Sequence, residues 1–352
     1  MRNKKKIGAL LLAGTMVFSM GMNVFAAGEQ IPDVNADGQV SITKEFEMAD
    51  GLATPDVTFK FTATSETPDA PSATIQDISY TVQDKGILQD TGIFVISKNT
   101  AISFGGNWPH AGEYVYTVKE TKEDAANVTY DETTYTLRVY VINEGNGLKV
   151  QQITAEGKEG KTNKIVFKNQ YTKNNASLIV EKKTEGTYAD KTKKFDFEII
   201  FTKSPMSNQT EFTGKIGEET VVCTAGQAQT FRLANGEQLV FTNLPVGMTY
   251  VVTEKGAEDG YTPGVNVVEN GVTTVTDRTA KSEGQFLNTV KDDGKNNLVG
   301  EKDNKVTFTN TYRDVAITGI VMDNLPFILL VAVAIVAFVS LAIMKRRRTS
   351  GK

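Results

Sequence analysis

The sequence predicts an all-β protein built as two tandem copies of one domain. Three observations carry this. Short alternating runs rich in Val, Thr, Tyr, Phe and Ile dominate residues 28–318, among them Tyr114-Val115-Tyr116-Thr117-Val118, Tyr135-Thr136-Leu137-Arg138-Val139-Tyr140-Val141 and Phe195-Asp196-Phe197-Glu198-Ile199. Gly, Asn and Asp turns separate them, and no comparable stretch in this region has a long helical period. Residues 28–172 and 173–312 also present the same signals in the same order, with Tyr171 to Ala176 as the joint.

The two ends read differently from the middle. Residues 1–27 open with Arg2, Lys4, Lys5 and Lys6, continue mostly apolar from Ile7 to Phe25 and finish on Ala26 and Ala27, the pattern of a cleaved secretory signal peptide. Residues 313–352 hold a second apolar run, Pro326 to Met344, broken only by Ser340 and followed at once by Lys345, Arg346, Arg347 and Arg348. Such a run is long enough to cross a membrane once as a helix. The basic tail would stay inside, which puts everything before it outside the cell.

Charge and composition exclude several classes of function. The whole chain carries 38 basic and 42 acidic residues. Four of the basic residues lie in the first 27, and five basic and one acidic lie after Gly319. The exported part therefore holds 29 basic against 41 acidic residues, net −12, which argues against nucleic acid as a partner. Cys223 is the only cysteine, so no internal disulfide can form and another stabiliser is expected. With His110 as the only histidine, neither a zinc site nor a Ser-His-Asp or Cys-His centre has its parts, and no metal, no cofactor and no enzymatic activity are expected. His110 sits in Trp108-Pro109-His110-Ala111-Gly112, which reads as a turn.

Three signals recur in each half. The first is a strand ending in lysine, Val40-Ser41-Ile42-Thr43-Lys44 and then Leu178-Ile179-Val180-Glu181-Lys182. The second is Tyr-x-Val-x-Glu, from Tyr116 to Glu120 and from Tyr250 to Glu254. The third is Phe-x-Asn-x-Tyr, from Phe167 to Tyr171 and from Phe308 to Tyr312. Residues two apart share a face of a strand, so Lys44 lies with Val40, Ile42 and Phe46, Glu120 with Tyr116 and Val118, and Asn169 with Phe167 and Tyr171. A lysine, a carboxyl and a carboxamide then point inward in each half.

Alone, each has an ordinary reading: a strand-end lysine snorkels to water, and a glutamate opens a loop. Together, and twice, they suggest chemistry. Burial without compensation shifts such groups by some 3 to 5 pKa units, roughly 4 to 7 kcal/mol, toward a neutral amine and a neutral acid. A neutral amine is a nucleophile, and a protonated carboxyl can polarise the asparagine carbonyl. The expected product is an amide from Lys44 to Asn169, with Glu120 moving the protons, and likewise from Lys182 to Asn310 with Glu254. Asn288, in Gln285-Phe286-Leu287-Asn288, is a rival for Asn310 but lacks the Phe-x-Asn-x-Tyr register.

These residues resemble the major pilins, the shaft or backbone subunits of Gram-positive sortase-assembled pili. Their isopeptide-linkage domains resemble immunoglobulin-like β-sandwiches of the collagen-adhesin B type. The resemblance implies two such sandwiches here, with a first-strand lysine bonded to a last-strand asparagine beside an acidic residue. Leu244-Pro245-Val246-Gly247 and Gly186-Thr187-Tyr188-Ala189-Asp190 strengthen it for the second copy. It also implies a sorting signal, for which Val315-Ala316-Ile317-Thr318-Gly319 is the candidate, although the usual Leu-Pro or Pro before the threonine is missing. Sortase would cleave between Thr318 and Gly319 and pass the acyl group to a lysine of another subunit. The implied partners are sortase, other pilin subunits in a head-to-tail homopolymer and cell-wall peptidoglycan, with a host surface as a further candidate; the alternative is a monomeric wall-anchored adhesin. The acceptor lysine is expected in the loop before the last strand of the first half. Lys161, flanked by Gly157 and Gly160, is favoured over Lys158 and Lys164, because that loop lies at the pole opposite the joint.

Overall fold

Alternation in the sequence becomes strands throughout. A computed structural model describes residues 40–257, 260–313 and 317–349. The expected signal peptide, residues 1–27, and Val315 and Ala316 of the expected sorting motif lie outside the described residues. The chain divides into two compact units. One draws on residues up to Asn174 with the short segments Ser204–Asn208 and Pro245–Gly247; the other draws on Asn175–Lys203, Gln209–Leu244 and the residues from Met248 on.

The first unit is a pair of antiparallel-dominated sheets enclosing one core. One sheet runs in the order Ala73–Ile75, Ile93–Phe104, Val40–Ala49, Ile165–Tyr171, Val128–Thr129, with Ile87–Leu88 also paired to Ile93–Phe104. The other runs Gly160–Thr162, Gly147–Gly157, Thr134–Glu144, Gly112–Thr121, Val57–Ser65, Ile78–Tyr80. The first long strand and the last lie side by side and parallel, with Lys44 opposite Phe167 and Phe46 opposite Asn169. Parallel neighbours need a crossover rather than a hairpin. Here the crossover is the rest of the unit, so the two strands that begin and end it form the centre of one sheet.

The second unit repeats this plan. Its larger sheet runs Glu219–Thr224, Glu211–Ile216, Gln238–Leu244, Ala176–Glu185, Lys305–Tyr312, Tyr261–Glu269, Val272–Thr279. Its smaller sheet runs Ala228–Leu233, Phe195–Thr202, Thr249–Glu254, with Leu287–Asn288 and Asn297–Leu298 both paired to the last of these. Ala176–Glu185 and Lys305–Tyr312 are again parallel, with Lys182 opposite Phe308 and Thr184 opposite Asn310.

Aromatic side chains hold the two sheets of each unit together. In the first, Phe46 contacts Phe59 and Tyr80, both with ring centres 5.2 Å away, and Phe61 meets Phe167 at 5.4 Å. In the second, Phe197 meets Phe308 at 5.2 Å and Phe201 meets Phe241 at 5.0 Å. Aromatic pairs at such distances contribute roughly 0.5–1.5 kcal/mol beyond the area they bury.

Two sequence readings need correction. The lysine strands do not end at lysine: they continue to Ala49 and Glu185, so Lys44 and Lys182 stand mid-strand, where snorkelling to water is closed off. The segment before the last strand of the first unit is not simply a loop. Gly160–Thr162 is a short strand hydrogen-bonded back to Gly147–Gly157, with Glu156 opposite Lys161 and Gly157 opposite Gly160. Gly160 has φ of +101°, a conformation that lets Lys158 and Glu159 form the turn tip. Lys161 is therefore an exposed residue of an edge strand.

After Tyr312 the chain enters a 33-residue helix, α1 (Ile317–Thr349). Thr318 and Gly319 fall in its first turn, and of their side chains nothing is described. Its described side chains run from Leu329 to Met344, with Phe327, and all are apolar except Ser340. Among the described residues no helix is long and apolar enough to cross a membrane.

Phe46 is wholly buried against the rings of Phe59, Tyr80 and Tyr171 in the first core, so Phe46→Ala should destabilise that unit by about 3–5 kcal/mol. A lowered urea midpoint for that unit is the expected readout; an unchanged one would show that the ring does not hold the sheets together.

Candidate functional site

Each core contains three polar side chains that the surrounding apolar residues leave no route to water. Lys44 projects from Val40–Ala49 between Ile42 and Phe46, both fully buried. Asn169 projects from the adjacent parallel strand between Phe167 and Tyr171. Glu120 comes from Gly112–Thr121 in the facing sheet, so the carboxyl closes the site from across the core. Lys44 Nζ donates to Glu120 Oε2 at 2.8 Å, and Asn169 Nδ2 donates to Glu120 Oε1. Neither the lysine nor the glutamate side chain has any solvent exposure.

The second core repeats the arrangement. Lys182 Nζ donates to Glu254 Oε1 at 3.1 Å and Asn310 Nδ2 donates to the same oxygen at 2.6 Å. The register offset is the same in both units: the asparagine sits two residues beyond the partner of the lysine, on the same inward face. That diagonal brings the amine and the carboxamide to one carboxyl.

The electrostatics shift both partners toward their uncharged forms. Burial pushes Lys44 down from its ordinary 10.5 to about 8, the facing Glu120 recovering only part of the loss. Lys182 is likewise brought to about 8 by burial against the pull of Glu254. Burial raises both Glu120 and Glu254 above the usual carboxyl range, against the opposing effect of their lysines. Desolvation outweighs Coulomb attraction at both sites, the expected order where no water reaches the pair.

Several contributors are not evident in the sequence. Lys44 Nζ lies 4.5 Å from the Phe59 ring centre, and Lys182 Nζ lies 4.4 Å from that of Phe195. The Tyr80 hydroxyl donates to the Lys44 carbonyl at 2.9 Å and fixes the backbone there. The Asp131 backbone N–H donates to Asn169 Oδ1 at 2.8 Å, so the carboxamide is held with its oxygen on a donor and its nitrogen on the carboxyl. Asn310 Oδ1 is buried and has no hydrogen-bond partner. Phe59 and Phe195 sit in alternating runs that read only as core, and the Asp131 contact depends on a loop returning over the last strand, which no local pattern encodes.

The remaining sequence candidates lie elsewhere. Asn288 is exposed at the end of a two-residue strand, and its Oδ1 accepts from the Val290 N–H rather than meeting Lys182. His110 turns its Nδ1 to the Ala111 carbonyl, 3.0 Å away, beside the Tyr114 ring. Cys223 is buried, and burial pushes its thiol up to about 12, far from the thiolate a nucleophile needs. Lys158 and Lys161 are exposed, Lys164 is half-buried, and Lys168 pairs with Glu45 at 2.7 Å.

Comparison with known proteins places the chain in a family. Residues 40–172 match the Spy0128-like isopeptide containing domain, and residues 176–312 match a domain of unknown function, DUF7601. A protein described as pilin from Streptococcus pyogenes serotype M1 is 30% identical over 352 residues, covering 94% of this chain and 96% of its own length. The chain belongs to the pilin family. A pilus tip adhesin of the same species, Cpa, is 42% identical over 83 residues, which are 23% of this pilin but only 12% of the adhesin. Among solved structures, the major pilin protein T3.2 of S. pyogenes is 23% identical, with a TM-score of 0.37, covering 80% of this chain and all of its own. The pilin is thus a structural subunit of a cell-surface pilus, not an enzyme.

The lowered lysines have a consequence for stability. An Asn169→Ala/Asn310→Ala variant of this pilin keeps both lysine–glutamate pairs and removes the carboxamides. Between about 8 and 10.5 its unfolded chain holds more lysine protons than the folded one, so stability rises with pH across that window. The raised carboxyls act oppositely and at lower pH: stability present below their ordinary 4.5 fades as pH climbs through their folded values. Urea midpoints should increase from about pH 8 to about pH 9.5, and replacing both lysines by methionine should abolish the increase. A midpoint that falls over that range would contradict the assignment.

Proposed function

We propose that this pilin is the shaft subunit of a covalent surface pilus, in which each of two domains, residues 28–172 and 173–312, is locked by an internal amide between its first and last strands. The observation that carries this is the repeated dry set of lysine, glutamate and asparagine, with the amine and the carboxamide on one carboxyl. In the reaction Lys44 Nζ attacks Asn169 Cγ, the new C–N bond replaces the Cγ–Nδ2 bond, and ammonia leaves. Glu120 takes the proton shed by the amine and delivers it to Nδ2, which already faces it at the start. The Asp131 N–H offers a donor to the oxygen that gains charge as Cγ becomes tetrahedral. Lys182, Glu254 and Asn310 do the same in the second domain, without a donor on Asn310 Oδ1, so the second bond should form more slowly than the first.

Closing a loop of roughly 125 residues contributes about 4–5 kcal/mol in the chain-entropy account developed for disulfides. The kinetic gain is larger, because a covalent tie between adjacent central strands holds the core shut against unfolding and proteolysis. The loss of ammonia makes the reading directly testable. The folded ectodomain should weigh less than its sequence by at least two ammonia molecules, and Glu120→Ala and Glu254→Ala should each restore one. An unmodified mass would overturn the proposal.

Assembly follows from the ends of the chain. Residues 1–27 direct export and residues 313–352 hold the sorting signal, with Pro326 to Met344 crossing the membrane in the precursor and Lys345 to Arg348 retained inside. Sortase cleaves between Thr318 and Gly319 and passes the Thr318 acyl group to Lys161 of the next subunit, with Lys158 and Lys164 as alternates, and finally to peptidoglycan. The exposure of Lys161 on an edge strand supports its access to an enzyme. The head-to-tail contact is heterologous and grows an open fibre. Wall-released protein should show Thr318 as its terminal residue in the chain, and Lys161→Arg should collapse the high-mass ladder on a denaturing gel. A ladder that survives replacement of Lys158, Lys161 and Lys164 together would exclude this hairpin, and a single band from the unaltered protein would indicate a monomeric wall-anchored adhesin.

A further inference from the structure

A third set of the same three residue types stands apart from the two core sites. Glu269 ends the strand Tyr261–Glu269, whose buried positions alternate through Val265 and Val267, so its side chain faces inward and is only 6% exposed. Asn297 opens the strand Asn297–Leu298 opposite Tyr250 and is fully buried. Between Leu287–Asn288 and Asn297–Leu298 the chain leaves the sheet in a tight turn. Lys291 N–H donates to the Lys295 carbonyl at 3.0 Å and Gly294 N–H returns to the Lys291 carbonyl at 2.9 Å. The turn brings Lys291 and Asn297 to one carboxyl: Lys291 Nζ donates to Glu269 Oε2 at 3.1 Å, and Asn297 Nδ2 donates to Glu269 Oε1 at 2.8 Å. This is the contact pattern of Lys44, Glu120 and Asn169, with one oxygen for the amine and the other for the carboxamide.

From this geometry we infer that Lys291 and Asn297 form a third, local amide cross-link, with Glu269 as its proton carrier. The inference rests on the reading that such sets condense. Lys291 Nζ attacks Asn297 Cγ, the C–N bond forms as the Cγ–Nδ2 bond breaks, and ammonia departs with the proton that Glu269 has moved from Nζ to Nδ2. The leaving nitrogen faces the carboxyl, as it does in the first core. Asn297 Oδ1 is buried without a hydrogen-bond partner, and so is the hydroxyl of Tyr250, its cross-strand neighbour. The carboxamide is thus held by its nitrogen alone. Two differences set the pace. The Lys291 side chain is 23% exposed, whereas those of Lys44 and Lys182 have no exposure, so its amine has an escape to water. Glu269 Oε1 also accepts from the Thr274 hydroxyl at 2.9 Å, which steadies the carboxylate. The third bond should therefore reach lower occupancy than the other two. Its role is local, stitching the excursion 291–296 to the sheet rather than closing the domain.

Tryptic peptides of the purified full chain test this, because an acylated Lys291 resists cleavage. The expected species is Ser282–Lys295 joined through its side chain to Asn296–Lys302, one ammonia lighter than the sum of the two. Glu269→Gln should remove it while leaving the links at Lys44 and Lys182, which are read from other peptides of the same digest. Failure of those links and failure of this one are thus separately visible. Recovery of Lys291 only as a freely cleaved residue, with Asn296–Lys302 always unjoined, would reduce the cluster to an ion pair and overturn the inference. A joined species undiminished in Glu269→Gln would overturn the role of Glu269.

Discussion

Everything distinctive in this pilin depends on keeping water away from a lysine. An ammonium deep between two sheets loses its hydration, and one carboxylate does not restore it: burial lowers Lys44 and Lys182 to about 8 even with Glu120 and Glu254 in contact. As a noncovalent device the arrangement would be poor, since a buried ion pair often stabilises less than apolar residues of the same volume. In the proposed function, what the dry site provides is reactivity. The same desolvation that makes the pair costly leaves the amine nearer to neutral and the carboxyl nearer to protonated, the two states in which one can attack and the other can transfer a proton.

Topology explains why that chemistry matters to a fibre. The strands bearing the lysine and the asparagine are parallel neighbours at the centre of one sheet, yet they begin and end their unit. Tension applied to the two ends of a unit enters by one and leaves by the other; in a fibre joined from Thr318 to Lys161 this path crosses the second unit, from Ala176–Glu185 to Lys305–Tyr312. Hydrogen bonds between parallel strands would bear it alone without a cross-link, and with one the path runs through covalent bonds past the whole core. The chain has a single cysteine and no way to close an internal disulfide, so the proposed amide would take the place that disulfides hold in other exported proteins.

Much of this was legible because a strand has a period of two. Val40, Ile42, Lys44 and Phe46 could share a face only if Lys44 pointed inward, and the same rule set Glu120 beside Val118 and Asn169 beside Phe167; the contacts at Glu120 and Glu254 follow that pattern. The repeat of all three signals pointed to the same convergence in both units, which the contacts at Glu120 and Glu254 show. What stayed hidden was set by contacts between distant segments. That the lysine strands run on past the lysine was hidden because Glu45, Glu47 and Lys183, polar residues on the outward face, read as a strand's end. Lys161 read as a loop because its pairing with Glu156 depends on a tight hairpin, Lys158-Glu159 between the paired Gly157 and Gly160. Asp131 reaches Asn169 through a returning loop, and Glu269, Lys291 and Asn297 meet only once a turn has folded. None of these has a period to detect.

Single-molecule stretching of the folded protein addresses the central claim most directly, because it asks whether force passes around the core. If Lys44 is bonded to Asn169 and Lys182 to Asn310, pulling on the two ends should release none of the roughly 125 residues enclosed in each unit, and Glu120→Ala should free about 400 Å of chain from the first. Full extension of both units in the unaltered protein, at the force of ordinary β-sandwich unfolding, would contradict the account.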